Sequence, residues 1–430
     1  MRFKKASALF IALAVVGVAC GSDSKTSSSA TTPAAGTGAP GAPAGALVLA
    51  TDLPLQGASQ DASVDTNNAI SLLLEQAGGK AGSYAVTLKT YDDSTAAAGA
   101  WDAATCAKNA SDHVANKGEV AIMGTYNSGC AKIEVPVLNA DTTGPMLIVS
   151  HANTNPGLTK AWDPGEPDKY YPTGVRNYGR IVATDDFQGA ADAQFLKQDV
   201  KVTKCIVLND AQTYGVGVAT AFKTEAAKQG ITIVADEAWD AKQPNYTALF
   251  EGFKDLGADC VFLAGINDEN GEQLIRDKVS VLGPNNGTVK LMGPDGFTGY
   301  PSVQGLAEAA DMYISFAGLP ASELIKNGGA GAKFVTDFKA KFGHDPASAY
   351  SIYGAAAAQY ILASIAASDG TRKGVRDAAF SGKITISAAD SVIGKDFTLD
   401  TASGDVNVRD MSIQQIQGGK EVFLKAWPVA

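Results

Sequence analysis

Residues Val120–Asn155 read VAIMGTYNSGCAKIEVPVLNADTTGPMLIVSHANTN. Val120–Gly124 is a short apolar run and reads as a strand. Lys132–Asn139 has the spacing of a short helix, and Met146–Ser150 is a second apolar strand. Strand, helix and strand in that order imply a right-handed βαβ unit and a parallel sheet.

The same rhythm extends in both directions. Towards the N-terminus, Ala46–Leu53 and Ala85–Tyr91 read as strands and Ala97–Asn116 as a helix. Asp61–Gln76 reads as a helix with Ala69, Leu72, Leu73 and Gln76 along one side. Downstream the pattern restarts. Helices over Thr184–Gln198, Val216–Gln229, Tyr246–Leu256 and Gly271–Val279 precede strands at Cys205–Leu208, Ile231–Ala235, Cys260–Leu263 and Val289–Met292. Met312–Phe316 reads as a last strand, followed by helices over Ala332–Phe342 and Ala349–Ala367. The tail, Ile384–Val429, reads as short strands and turns. Two successive α/β sets predict two doubly wound, Rossmann-like lobes.

Composition narrows the function classes. The chain has 430 residues, 45% of them hydrophobic, enough for a sizeable core. Its net charge of −10 offers no electrostatic footprint for nucleic acid. Only three histidines occur, His113, His151 and His344, which argues against a His-ligated metal site and His-based acid–base chemistry. No nucleophile elbow, zincin motif or Walker loop is present. Tyr214-Gly215-Val216-Gly217 is half a dinucleotide fingerprint, with Thr220 where the third glycine belongs. The reading is a protein that is not an enzyme, with no cofactor and no metal.

The N-terminus reads as a targeting segment. Arg2, Lys4 and Lys5 precede an apolar run, Ala6–Ala19, too short for a comfortable membrane span. Small residues before the lone Cys20 resemble a bacterial lipobox, which implies cleavage at residue 20 and lipidation of Cys20; an ordinary cleaved signal is the alternative. Residues 21–45 carry Ser, Thr, Gly, Ala and Pro with no large apolar side chain, and read as a flexible tether. Either reading of the signal places the chain outside the cytoplasm.

Four further cysteines, Cys106, Cys130, Cys205 and Cys260, suit disulfides in that setting. Three pairings are possible. Cys106–Cys130 and Cys205–Cys260 are favoured because each lies within one lobe.

Ligands of open α/β sheets bind beyond the carboxyl ends of the strands. The loops there are rich in small polar groups: Thr125–Gly129, His151–Pro156, Asn209–Gly215 and Pro294–Phe297. Hydroxyls and free N–H groups at helix starts suit a carboxylate, and a carboxylate side chain in a dry cleft suits an ammonium. The bland readings are N-caps for Ser128 and Thr154, and turn residues for Tyr214 and Asp295. Trp101, Trp162 and Trp239 read as packing residues and His151 as structural. Asp185-Asp186 and Asp268-Glu269 read as solvated faces.

At these loops the chain resembles the branched-chain amino acid and amide binding family of ABC importers, the type I periplasmic binding proteins. The likeness rests on Pro136–Thr159 (PVLNADTTGPMLIVSHANTNPGLT), Leu208–Gly215 (LNDAQTYG), Leu291–Gly299 (LMGPDGFTG) and Phe397–Asp405 (FTLDTASGD). It implies lobe 1 from residues 46–175 and 318–408, lobe 2 from 176–317 and 409–430, and hinge crossovers between them. It implies that Ser128, Ala152 and Thr154 hold a ligand's carboxylate and ammonium, with Asn127 beside them. Tyr214 would close over the ligand from the second lobe, Asp295 would pair with its ammonium, and Tyr350 would line the pocket. It also implies the Cys106–Cys130 bond, permease subunits as partners and a monomer. Aromatic residues expected after Gly265 and in the first loop are replaced by Ile266, Asn267 and the segment Gln56–Ser59. A polar ligand side chain would meet Asn267 or Gln56. The ligand is therefore left as a branched-chain or other small amino acid, a short amide or urea, or a small carboxylate. A sensing domain is the alternative role.

Overall fold

The computed structural model of the chain describes residues 45–428. The signal segment, the tether through residue 44 and Cys20 lie outside the described residues.

Eight strands come first: β1 (Leu47–Leu53), β2 (Lys80–Ala81), β3 (Tyr84–Asp92), β4 (Ser94–Thr95), β5 (Ala100–Trp101), β6 (Glu119–Gly124), β7 (Leu147–Ser150) and β8 (Tyr178–Arg180). Six of them form one sheet in the order β2-β3-β1-β6-β7-β8, parallel except at β2, while β4 and β5 pair as a small ladder. Helices α1 (Gln60–Gln76), α2 (Ala103–Ala115) and α3 (Ser128–Asn139) connect its strands. Every residue of β6 and β7 is buried, as expected of a parallel sheet covered on both faces.

The second sheet has the order β10-β9-β11-β12-β13-β14-β15. It comprises β9 (Lys204–Asn209), β10 (Thr232–Ala238), β11 (Cys260–Ala264), β12 (Lys290–Gly293), β13 (Tyr313–Phe316), β14 (Met411–Gln417) and β15 (Lys420–Trp427). Its first five strands run parallel, and β14 and β15 close the edge antiparallel. Helices α4 (Asp185–Phe195), α5 (Thr213–Gln229), α6 (Thr247–Phe253) and α7 (Gly271–Leu282) belong with it. The helices Gly329–Phe342, Ala349–Ala366 and Arg372–Ala379 return to the first sheet, where Ala349–Ala366 packs against α1, β6 and β7. The chain thus crosses between lobes after β8, after β13 and before β14. Among the described residues no helix is long and apolar enough to cross a membrane.

Three expectations are corrected. The lobe boundary at residue 176 is too early, because β8 pairs with β7 in the first sheet. A three-residue strand carrying a charged side chain shows no periodicity to read. The helix expected from Ala97 starts at Ala103: Gly99 turns at φ +63°, and Asp102 caps the helix by accepting from the Thr105 N–H at 2.9 Å. The helix expected from Lys132 starts four residues earlier, at Ser128.

Both favoured disulfides form. Cys106 joins α2 to Cys130 of α3, with Cα atoms 5.6 Å apart. Cys205 and Cys260 are direct neighbours on β9 and β11, 4.4 Å apart.

Candidate functional site

The strand ends of the two sheets face each other, and the loops beyond them enclose a cavity of about 30 Å³. That holds about one water, so any larger occupant requires the lobes to part. Asn127, Ser128 and Ala152 line it from lobe 1, Tyr214 and Asp295 from lobe 2, and Tyr350 from the helix Ala349–Ala366. Tyr126, Ile266 and Gly296 complete the wall.

On the lobe 1 side, Ser128 is the first residue of α3. Its place is set by Trp101, whose ring lies so close to Gly129 that a Cβ there would approach it to 2.5 Å. The Ser128 Oγ accepts from the Asn155 N–H at 3.3 Å. The loop after β7 is held from beneath by Arg180, a fully buried side chain. Its guanidinium donates to the carbonyls of Asn153 (2.8 Å) and Asn155 (3.0 Å) and to the Thr159 Oγ1 (2.8 Å), and pairs with Asp405 at 2.9 Å. Short strand β8 therefore rigidifies the loop that carries Ala152 and Thr154.

From lobe 2 comes Asp295, only 2% exposed. The hydroxyls of Tyr214 and Tyr350 donate to its two oxygens, and the Gly296 N–H donates to the Tyr214 hydroxyl at 3.1 Å. Burial raises the Asp295 pKa, and the two tyrosine hydrogen bonds counter that shift. Asp185, at the start of α4, is also fully buried, and neither of its oxygens has a hydrogen-bond partner. Burial, and next the charge of Asp295, push its carboxyl well above the ordinary range. Its backbone N–H donates to the Thr154 carbonyl at 2.9 Å, which ties it to the lobe 1 loop. The Thr154 Oγ1 is buried without a partner.

Tyr126 and His151 fill the space behind Tyr350, with ring centroids 5.5 and 6.0 Å from it. Burial lowers the His151 pKa to about 3, so the ring is neutral. A second contact bridges the lobes at the far side of Tyr126. Ser59 donates through its N–H (3.0 Å) and Oγ (2.9 Å) to Asp268, which also accepts from Tyr300 at 2.7 Å.

The structure thus brings Asn127, Ser128, Ala152, Tyr214, Asp295 and Tyr350 to one cavity. Thr154 lies buried behind that wall. Asn267 does not line it; its N–H donates to the Gly296 carbonyl at 2.9 Å, and Ile266 faces the cavity instead. The solvated-face reading of Asp185 and Asp268 is overturned: one is fully buried and the other binds across the lobes. A charged pair opening a helix looks the same in sequence whether it faces water or a partner lobe. Asp185, Tyr126 and Arg180 carried no motif of their own.

A larger groove, about 440 Å³, runs between Lys132 and Trp162 of lobe 1 and the outer face of α5. It is open, and its lining includes neither buried carboxylate, so the small cavity is the better candidate site.

Comparison with known proteins agrees with this geometry. Residues 50–420 match the family described as periplasmic binding protein. The Leu/Ile/Val-binding protein BraC3 of Rhizobium johnstonii is 27% identical over 190 residues, 44% of this chain and 46% of that one. A leucine-, isoleucine-, valine-, threonine- and alanine-binding protein of Pseudomonas aeruginosa is 25% identical over 183 residues, 43% of this chain and 44% of that one. The chain spans about half the length of the curated relatives it matches. A leucine binding protein, LivK, from Thermotoga maritima superposes with a TM-score of 0.74 at 18% identity, covering 89% of this chain and 98% of that one. An ABC transporter solute binding protein of R. palustris in complex with benzoate gives 0.72 at 18% identity, covering 90% and 98%. Two doubly wound lobes, three crossovers, a polar cleft between strand ends and a match along nearly the whole described chain lead to one assignment: the protein belongs to the periplasmic binding protein family, in its type I fold, a family of solute binders and not of enzymes.

Proposed function

We propose that this protein is the extracytoplasmic solute-binding component of an ABC importer, capturing a small amino acid between its lobes by hinge closure. The observation that carries the reading is Asp295, a buried carboxylate on the cavity wall, with a second buried carboxylate, Asp185, close enough to feel its charge. Two buried carboxylates that disfavour each other's charge are relieved by one cation. A ligand ammonium supplies it, and Ser128 at the start of α3 suits the ligand's carboxylate. Tyr214 and Tyr350 then lie over the bound zwitterion, and Ile266 and Tyr126 bound its side chain. This favours an aliphatic or small polar amino acid, in keeping with the names of the curated relatives. Benzoate, named for one neighbour, lacks the ammonium. Short amides or urea, small carboxylates and a sensing role are the alternatives. Delivery to permease subunits, monomeric state and anchoring through Cys20 to the outer face of the bacterial cell membrane belong to the same proposal.

A thermal-shift panel of amino acids, amides and small carboxylates tests it. An amino acid at 100 times its Kd should stabilise the fold by about 2.7 kcal/mol. A response to benzoates or other anions alone overturns the ammonium role of Asp295 and Asp185.

A further inference from the structure

Beneath the lobe 1 loops, a second group of ionisable side chains is fully buried and unused by the proposed binding site. Asp52 ends β1, His113 lies in α2 and Glu134 in α3, and all three are 0% exposed. One donor atom from each lies within 4.8 Å of the others. We propose that Asp52, His113 and Glu134 form an internal site for one divalent transition-metal ion, Mn²⁺ or Zn²⁺.

Three features point to a ligand rather than to simple packing. First, the imidazole is oriented as a metal-bound histidine is. Its Nδ1 hydrogen-bonds Glu119 at 2.6 Å, and its Nε2 hydrogen-bonds Asp52 at 3.3 Å, a contact that an ion between them would replace. A carboxylate on the far nitrogen fixes the tautomer and raises the basicity of the nitrogen that binds the ion. Second, Glu134 lacks an amide, hydroxyl or cationic donor. The Oε2 of Glu134 has no partner, and its Oε1 contacts only the Cys130 sulfur at 3.7 Å, which in a disulfide has no proton to give. Third, both oxygens of the adjacent Asp93 are buried without partners, and Asp93 feels the charge of Asp52. Only Asp52 has a neutral donor, the Asn109 amide at 3.0 Å.

Ligand atoms around a tetrahedral ion with bonds of about 2.1 Å lie roughly 3.4 Å apart. A contraction of at most about 1.4 Å would close the site. An imidazole among carboxylates favours Mn²⁺ or Zn²⁺ over Mg²⁺ or Ca²⁺, which prefer oxygen alone. The ion would staple β1, α2 and α3 together beside the Cys106–Cys130 bond, two turns below Ser128 of the proposed clamp. Three histidines in the chain argued against a His-ligated site, but one suffices where carboxylates supply the rest.

The test uses the full chain, expressed without a histidine tag. It is unfolded in guanidinium with chelator, disulfides intact, and refolded with Mn²⁺, Zn²⁺, Ca²⁺, Mg²⁺ or chelator alone. Elemental analysis should find about one Mn²⁺ or Zn²⁺ per chain, and the loaded protein should melt roughly 2–5 °C higher. Glu134→Gln and His113→Gln should each refold, by circular dichroism, and retain less than a tenth of that metal. If His113→Gln does not fold, Glu134→Gln and the wild-type stoichiometry decide. A folded wild type that takes up no ion, as when Asp52 and Glu134 instead share a proton, overturns the site. So does undiminished uptake by Glu134→Gln. Metal content is read directly, so the result is independent of the amino-acid reading.

Discussion

At the scale of the residue, Asp295 and Asp185 decide whether this cleft takes a cation. Burial lifts both carboxyl pKa values, and an ammonium between them would bring both down again. Below the raised value of the ligand-free protein, binding must therefore expel a proton. Amino-acid affinity should rise with pH from the acid side and level off once both groups are ionised without ligand. Calorimetry in buffers of different ionisation enthalpy reads the released proton directly. Asp295→Asn keeps acceptors and donors near Tyr214 and Tyr350 but removes the charge. Breaking a buried ion pair costs about 3–5 kcal/mol, so affinity should fall roughly 100- to 4000-fold with the melting curve little changed. Unchanged affinity, or a pH-independent Kd, would count against the ammonium role.

At the scale of the element, β8 is the part whose importance is least visible from its length. Its Arg180 crosses under the loop after β7 and reaches Asp405 from the last lobe 1 segment. Arg180→Met should leave Asp405 and two loop carbonyls short of their donor. The expected loss is about 3–5 kcal/mol in urea unfolding, together with weaker ligand binding. A variant with wild-type stability would show that the loop holds itself. The same scale explains why α3 begins where it does. Trp101 on β5 packs against Gly129, so the ladder of β4 and β5, invisible to helical periodicity, sets the position of Ser128.

At the scale of the whole molecule, the contacts that hold closure include Tyr214 and Asp295 against Tyr350, Asn155 against Thr213, and Ser59 against Asp268. Hydrogen bonds to a charged acceptor contribute about 1.5–3 kcal/mol each. Asp268→Ala should therefore shift the ligand-free chain towards open forms. Small-angle scattering should show a larger radius of gyration without ligand and a return to the compact value when ligand saturates. Apparent affinity falls with the fraction of binding-competent molecules. An Asp268→Ala protein with wild-type scattering would mean that the contact does not bias closure.

Alternating apolar runs and amphipathic spacing, read on Val120–Ser150 and its repeats, determined the α/β class, the two sets of strands and most helix positions. These are local properties, set by which side chains must leave water. The polar loops at strand ends pointed to Ser128, Ala152, Tyr214, Asp295 and Tyr350 because their order and spacing resemble a known family. Residues without a local pattern needed the tertiary structure. Asp185 and Asp268 look like any surface acids until the first lobe's Thr154 loop meets one and its Ser59 donates to the other. Arg180 looks like a loop cation until β8 pairs with β7. Asp52, His113 and Glu134 stand far apart in sequence and meet only because β1, α2 and α3 pack around one point. Burial and partnership across the chain are consequences of packing, and no window of sequence contains them.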